Sequence, residues 1–129
     1  MLRANNHPSK KKKIFVSIHA NAGAAAPNGW TEAEGIETWF FHGSRTGKKI
    51  AAIFQKHLIE QVNWTNRGIK SRPTSQFYVL RNTSMPAILT ENGFFNNKEQ
   101  VKELMKDEVR QKIANAHVAA ILEIEEKGL

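Results

Sequence analysis

The sequence predicts an α/β fold: a three-layer arrangement with helices flanking a twisted, mostly parallel sheet. Three observations point there. Short apolar, β-branched runs lack a helical period, longer segments carry apolar residues on one helical face, and the two kinds alternate along the chain. At 129 residues, 40% of them hydrophobic, the chain suffices for one core and is short for two ordinary domains. The expected organisation is a basic polar segment over 1–13 and one domain over 14–129.

Ile14-Phe15-Val16-Ser17-Ile18 reads as a buried strand ending at His19, and the Gly-, Pro- and Ala-containing stretch from Asn21 to Glu34 as a long loop leaving it. Gly35 to Phe41 reads as a second strand, rich in aromatic and β-branched residues and closed by Gly43. Ser44 is placed to cap a helix whose apolar face is Ile50, Ile53, Phe54, Leu58 and Val62. Asn63 to Gly68 reads as a loop, and the polar stretch to Gln76 has no clear period. Phe77–Arg81 and Ala87–Glu91 read as two further strands around a turn with Asn82, Ser84 and Pro86. Asn97 and Gln100 match a capping box before Val101, Leu104 and Met105. The last helix turns Val109, Ile113, Ala116, Ala120, Ile121 and Ile124 inward.

Composition excludes some chemistries. Without cysteine there is no disulfide framework, thiol nucleophile or Cys-based zinc site, so a metal ion would rest on His, Asp or Glu. No apolar run approaches the roughly eighteen residues of a membrane span, and the first nine residues lack a secretory signal's apolar stretch. No membrane partner is expected. The formal charge of +7 suits an anionic polymer, whether nucleic acid or a cell wall bearing phosphates and carboxylates. Lys10-Lys11-Lys12-Lys13 has no interleaved aromatic residue, so it reads as a solvated turn or helix end and no nucleic-acid partner is expected.

Ligands of such sheets gather beyond the carboxyl ends of strands, and both His19 and Glu91 fall at such ends. From its surroundings alone His19 is either a metal ligand or a hydrogen-bonded structural histidine. Glu91, between Ala87-Ile88-Leu89-Thr90 and Asn92-Gly93-Phe94-Phe95, places a carboxylate beside a hydrophobic core, where an unpaired charge is costly. It is either functional or half of a buried salt bridge to one of the arginines.

The residues also carry a resemblance. Ser17-Ile18-His19-Ala20-Asn21 resembles the Ser-x-His-x-Asn strand end of the zinc-dependent N-acetylmuramoyl-L-alanine amidases of the amidase-3 family. Gly35 to Phe40 resembles that family's next strand, Asn66 to Lys70 its following loop, and Phe77 to Phe94, ending Glu-x-Gly-Phe, its closing strands. Four such motifs follow in order from about Ile14 to about Ile121. The resemblance implies a phosphorylase/hydrolase-like fold, Zn2+ as cofactor, His19 as a zinc ligand and Glu91 as the catalytic general acid/base. It also implies peptidoglycan as the substrate, acted on outside the cell by an autolysin or a phage endolysin. Asn21, Glu37 and Arg81 are the expected substrate-binding residues, Arg81 because it would end a strand beside that of Glu91. Arg67, Lys70 and Arg72 are further positions to receive stem-peptide carboxylates or to neutralise Glu91.

One departure stands beside the match. The family's domain begins with a strand bearing a Gly-His-Gly-type motif whose His is the first zinc ligand, and a later helix supplies a Glu as the second; neither occurs here. Catalytic zinc takes three protein ligands and keeps one position open, so His19 alone is insufficient. His7, beside Pro8, reads as part of a mobile polar segment, and His42, His57 and His117 read as structural. Glu32 and Glu34 read as solvated loop charges. The expectation is an N-terminally truncated catalytic domain, with a non-catalytic wall-binding or regulatory module as the alternative.

Overall fold

The computed structural model describes residues 1–129. Its elements are α1 (Leu2–Asn5), β1 (Phe15–Asn21), β2 (Ile36–Phe40), α2 (Arg45–Val62), β3 (Asn66–Lys70), α3 (Tyr78–Arg81), β4 (Ala87–Phe94), α4 (Lys98–Leu104) and α5 (Asp107–Lys127). The four strands form one sheet in the order β1-β4-β2-β3. β1 runs parallel to β4 and β2 to β3, while β2 and β4 are antiparallel, so the sheet is mixed.

Period decides which residues face which layer. Alternate residues of β2 and β4, Ile36, Phe40 and Ile88, pack with Ile50, Phe54 and Leu58 of α2 and with Ile113, Ala116 and Ala120 of α5. Phe54, fully buried, contributes roughly 1.5–3 kcal/mol by leaving water. The intervening residues, Trp39, Ala87 and Leu89, pack on the other face against Phe77, Val79 and Leu80. The third layer is therefore short, and it covers only the half of the sheet where β4 begins.

Two expectations are corrected. Phe77–Arg81 is not a strand: Tyr78–Arg81 is one helical turn, closed by Asn82 N–H donating to Tyr78 O at 2.9 Å. An apolar run this short has no period to separate a strand from a turn that lays the same residues on a sheet. Asn66–Lys70, expected to be loop, is edge strand β3, which owes its structure to pairing with β2 rather than to its polar composition. The segment 1–13 is anchored as well: Asn5 Oδ1 accepts from Ser84 N–H at 2.8 Å, and Lys13 Nζ donates to the Asn5 and His7 carbonyls at 3.1 and 3.0 Å.

The caps show where sequence signals succeed. Ser44 Oγ accepts from Gly47 N–H at 2.9 Å, and Asn97 Oδ1 accepts from Glu99 and Gln100 N–H, both at 3.0 Å. Gln100, however, does not close the capping box. Its Oε1 accepts from Gly35 N–H at 3.1 Å and Phe94 N–H at 2.8 Å, tying the start of β2 to the end of β4. Gly93, at φ +82°, leaves room for Gln100 and Trp64, because a Cβ there would lie 3.2 Å from Gln100 Oε1 and 2.9 Å from Trp64.

Candidate active site

The site is a row of side chains crossing the sheet beyond the cover provided by α3. His19 of β1 lies opposite Glu91 of β4, and Glu91 lies opposite Glu37 of β2. Directly opposed residues share a face, so the three project to one side, the face of Leu89 and Trp39. Arg67 of β3 completes the row: its Nε donates to Glu37 Oε1 at 2.7 Å while its guanidinium stacks 4.9 Å from the Phe94 ring centroid.

The two carboxylates differ in their partners. Glu37 is held at both oxygens, with Oε2 accepting from Trp39 Nε1–H at 2.6 Å. Glu91, 7% exposed, has an Oε2 that is buried without a hydrogen-bond partner. Burial first, and the Glu37 charge second, push its carboxyl up from 4.5 to about 7. A carboxyl in that range gains and loses a proton near neutral pH, as an acid/base group requires.

His19 is exposed, and its Nε2 lies 2.8 Å from Ser17 Oγ, two residues earlier on the same face. Asn92 fixes the local register, its Nδ2–H donating to the His19 carbonyl at 3.0 Å. This residue escaped the sequence reading, although it sits inside the Glu-x-Gly-Phe motif. Asn21 ends β1, its Oδ1 accepting from Ala22 N–H at 2.9 Å and its carbonyl from Phe95 N–H at 2.9 Å, so part of its polar capacity shapes the loop.

The structure does not bring Arg81 to the row. It closes α3 and lines a cavity with Phe41, Ser44 and Ala87, where β4 begins, four residues before Glu91. The reason is the helical turn: without a strand at 77–81, Arg81 has no register beside Glu91. Arg67 supplies the guanidinium instead, and it bonds Glu37 rather than Glu91. Arg72 stacks on Trp39 and Phe77, at 4.6 and 5.6 Å from their ring centroids. Glu34 accepts a hydrogen bond from Thr65 Oγ1. Among the other histidines, His117 is buried in the opposite layer, His42 Nδ1 is 3.1 Å from Ser71 Oγ, and His57 Nε2 is 2.9 Å from Glu123. His57 thus bridges α2 and α5 rather than sitting on a free helix surface.

Proteins of known structure share this fold. The profile of the N-acetylmuramoyl-L-alanine amidases covers residues 2–123. The chain belongs to the amidase-3 family. The crystal structure of an N-acetylmuramoyl-L-alanine amidase from Clostridium difficile 630 superposes with a TM-score of 0.83 at 31% identity, over 98% of this chain and 63% of that one. The endolysin of Bacillus phage SPP1 is 37% identical over 130 residues, covering 95% of this chain and 44% of the endolysin. An uncharacterised cell wall amidase of Bacillus anthracis is 40% identical over 126 residues, covering 89% of this chain and 22% of that protein. The chain thus spans less than half the length of these two curated relatives.

The amidase-3 resemblance implies zinc, and the residues of this chain do not fit a complete zinc site. No three His, Asp or Glu side chains converge. Of the row, His19 is the one imidazole and Glu37 is already held by Arg67 and Trp39.

Proposed function

We propose that this chain carries the proton-transfer part of a peptidoglycan amidase site, hydrolysing the amide between the lactyl group of N-acetylmuramic acid and L-alanine. The observation that supports it is Glu91: a buried carboxyl with a free oxygen and an acidity shifted to about 7, beside His19 in a chain of the amidase family. Ionised Glu91 takes a proton as water attacks the amide carbon. The protonated carboxyl then returns it to the nitrogen as the C–N bond breaks, so that a carboxylic acid and a free amine leave. Glu37, fixed by Arg67 and Trp39, keeps a negative charge next to Glu91 and so keeps it basic enough for the first transfer.

In this reading His19 would supply one of the three protein ligands that a catalytic zinc takes. The place of action is the bacterial cell wall, outside the cytoplasm; no helix is long and apolar enough to cross a membrane. The lone imidazole favours a second reading, a wall-binding or regulatory module that uses the same groove without turnover. Purified peptidoglycan separates the two. Release of L-alanine amino groups, lost in Glu91→Gln, supports the hydrolase; binding to the wall without release, equal in Glu91→Gln, supports the module. Elemental analysis of the purified chain, with less than stoichiometric zinc expected, checks the ligand count.

A further inference from the structure

The positive charge of this chain is concentrated at the end of the sheet opposite Glu91. Lys10 to Lys13 immediately precede β1, and α2 begins just after β2 ends; because β1 and β2 run in opposite directions, both places lie at the same end. Lys10, Lys11, Lys12, Arg45, Lys48 and Lys49 are all exposed there. The ion pairs of the molecule are made by Lys56, His57, Arg67, Lys102, Lys106 and Arg110, so none of those six basic residues has an acidic partner.

A cavity of about 450 Å³ opens at this end, lined by Lys12, Lys13, Thr46, Lys49 and Ser84 among others, with no Asp or Glu side chain. Leu129 also lines it, whereas Glu125 and Glu126, in the last turn of α5, do not. Lys13 turns back to the carbonyls of Asn5 and His7, which holds in place the segment bearing the other three lysines.

Helix α2 adds a second, independent sign. The amino end of a helix carries partial positive charge and normally receives acids. Helix α4 follows the rule with Glu99, and α5 with Asp107 and Glu108, but the first turn of α2 has no acid. It carries Arg45 and Lys48 instead, like charges set against the dipole, an arrangement that a docked anion relieves.

We propose that this end is a docking face for a linear phosphodiester polymer of the polyol-phosphate type. Several unpartnered ammonium groups spread over a loop and two helical turns suit a repeating charge better than a single small anion. Lysine meets phosphate as a point charge and makes no demand on shape. Nucleic acid fits less well: no aromatic ring lines the cavity, and the cation–π pairs all lie elsewhere, at Phe94, Trp39, Phe77 and Trp30. The face is separate from Glu91 and stands whether or not amide hydrolysis does. With both, the chain is held on wall phosphate by one end while the other meets peptidoglycan.

The test is a fluorescence titration of the 129-residue chain with a labelled glycerol-phosphate oligomer at rising sodium chloride, beside a thymidine oligonucleotide of equal charge. Binding to the glycerol-phosphate oligomer should weaken linearly in log–log form. In the combined variant Lys10→Gln, Lys11→Gln, Lys12→Gln, Lys49→Gln the slope should shrink by about three. The matched variant Lys98→Gln, Lys102→Gln, Lys106→Gln, Lys112→Gln changes net charge equally at the other end and should leave the slope as it was. Equal loss in both variants, no binding, or roughly tenfold tighter binding of the oligonucleotide would overturn the proposal. Thermal melting accompanies each variant. Should the first fail to fold, the three loop substitutions alone carry the test, with a slope smaller by about two.

Discussion

Thr90 and Glu91 are consecutive residues of one buried strand, and they face two different environments. On the helical side, Thr90 Oγ1 donates to His117 Nε2 at 2.8 Å and accepts from Asn92 Nδ2–H at 3.0 Å, while His117 Nδ1–H donates to the Ile113 carbonyl at 2.7 Å. On the open side, Glu91 has a buried, unpartnered oxygen and an ionised neighbour, Glu37. Both sites are polar and buried. The Thr90–His117 pair is closed upon itself and supports the fold, although Asn92 Oδ1 beside it is also without a partner; Glu91 keeps its unmet demand on an ionisable group.

The largest expected effect breaks the open side alone. Glu91→Gln should lower amide release by about 10²–10⁴-fold, the usual contribution of a positioned acid/base group, with circular dichroism and wall binding unchanged. The next breaks the closed side alone. His117→Ala removes a packed ring and orphans the Thr90 hydroxyl, and should cost roughly 2–4 kcal/mol in urea unfolding.

Acidity sharpens the contrast, because the two sites give pH slopes of opposite sign. The folded Glu91 carboxyl binds its proton more tightly than the unfolded one, so stability should fall as pH rises from 4.5 to about 7 and level off above. Glu91→Gln abolishes that fall and should be the more stable protein above neutrality, by at most about 3 kcal/mol. His117 goes the other way: burial lowers its basicity, outweighing its bond to Ile113, so stability should be lost as pH falls below the ordinary 6.5. Denaturant midpoints across pH, measured for both variants, separate the two slopes.

The smallest effect concerns Glu37. In Glu37→Gln the acid limb of the pH–rate profile should move below about 7 yet stay above 4.5, because burial, the larger cause of the Glu91 shift, remains. A limb that does not move would remove Glu37 from the account.

Much of this contrast was legible in the sequence, and particular residues show why. Ser44 and Asn97 were readable as caps because a cap is a local hydrogen bond between near neighbours. Glu91 stood out because a carboxylate beside a hydrophobic core needs an explanation wherever the chain folds. Arg81 was preferred to Arg67 and Arg72 on an expected strand that proved to be a helical turn, since choosing among arginines requires knowing which strand carries each. Gln100 looked like half of a capping box, and only the approach of Gly35 and Phe94 reveals its use.

By itself, then, the sequence determined the α/β class, the strand carrying His19, the strand carrying Glu91, and the helices that cover one face, because periodicity and caps act within a few residues. Tertiary structure alone decided that β2 and β4 pair antiparallel, that Tyr78–Arg81 is helical, and that Glu37 rather than an arginine faces Glu91. Strand register and sheet order join residues dozens of positions apart, and no local pattern records which edge a strand will find.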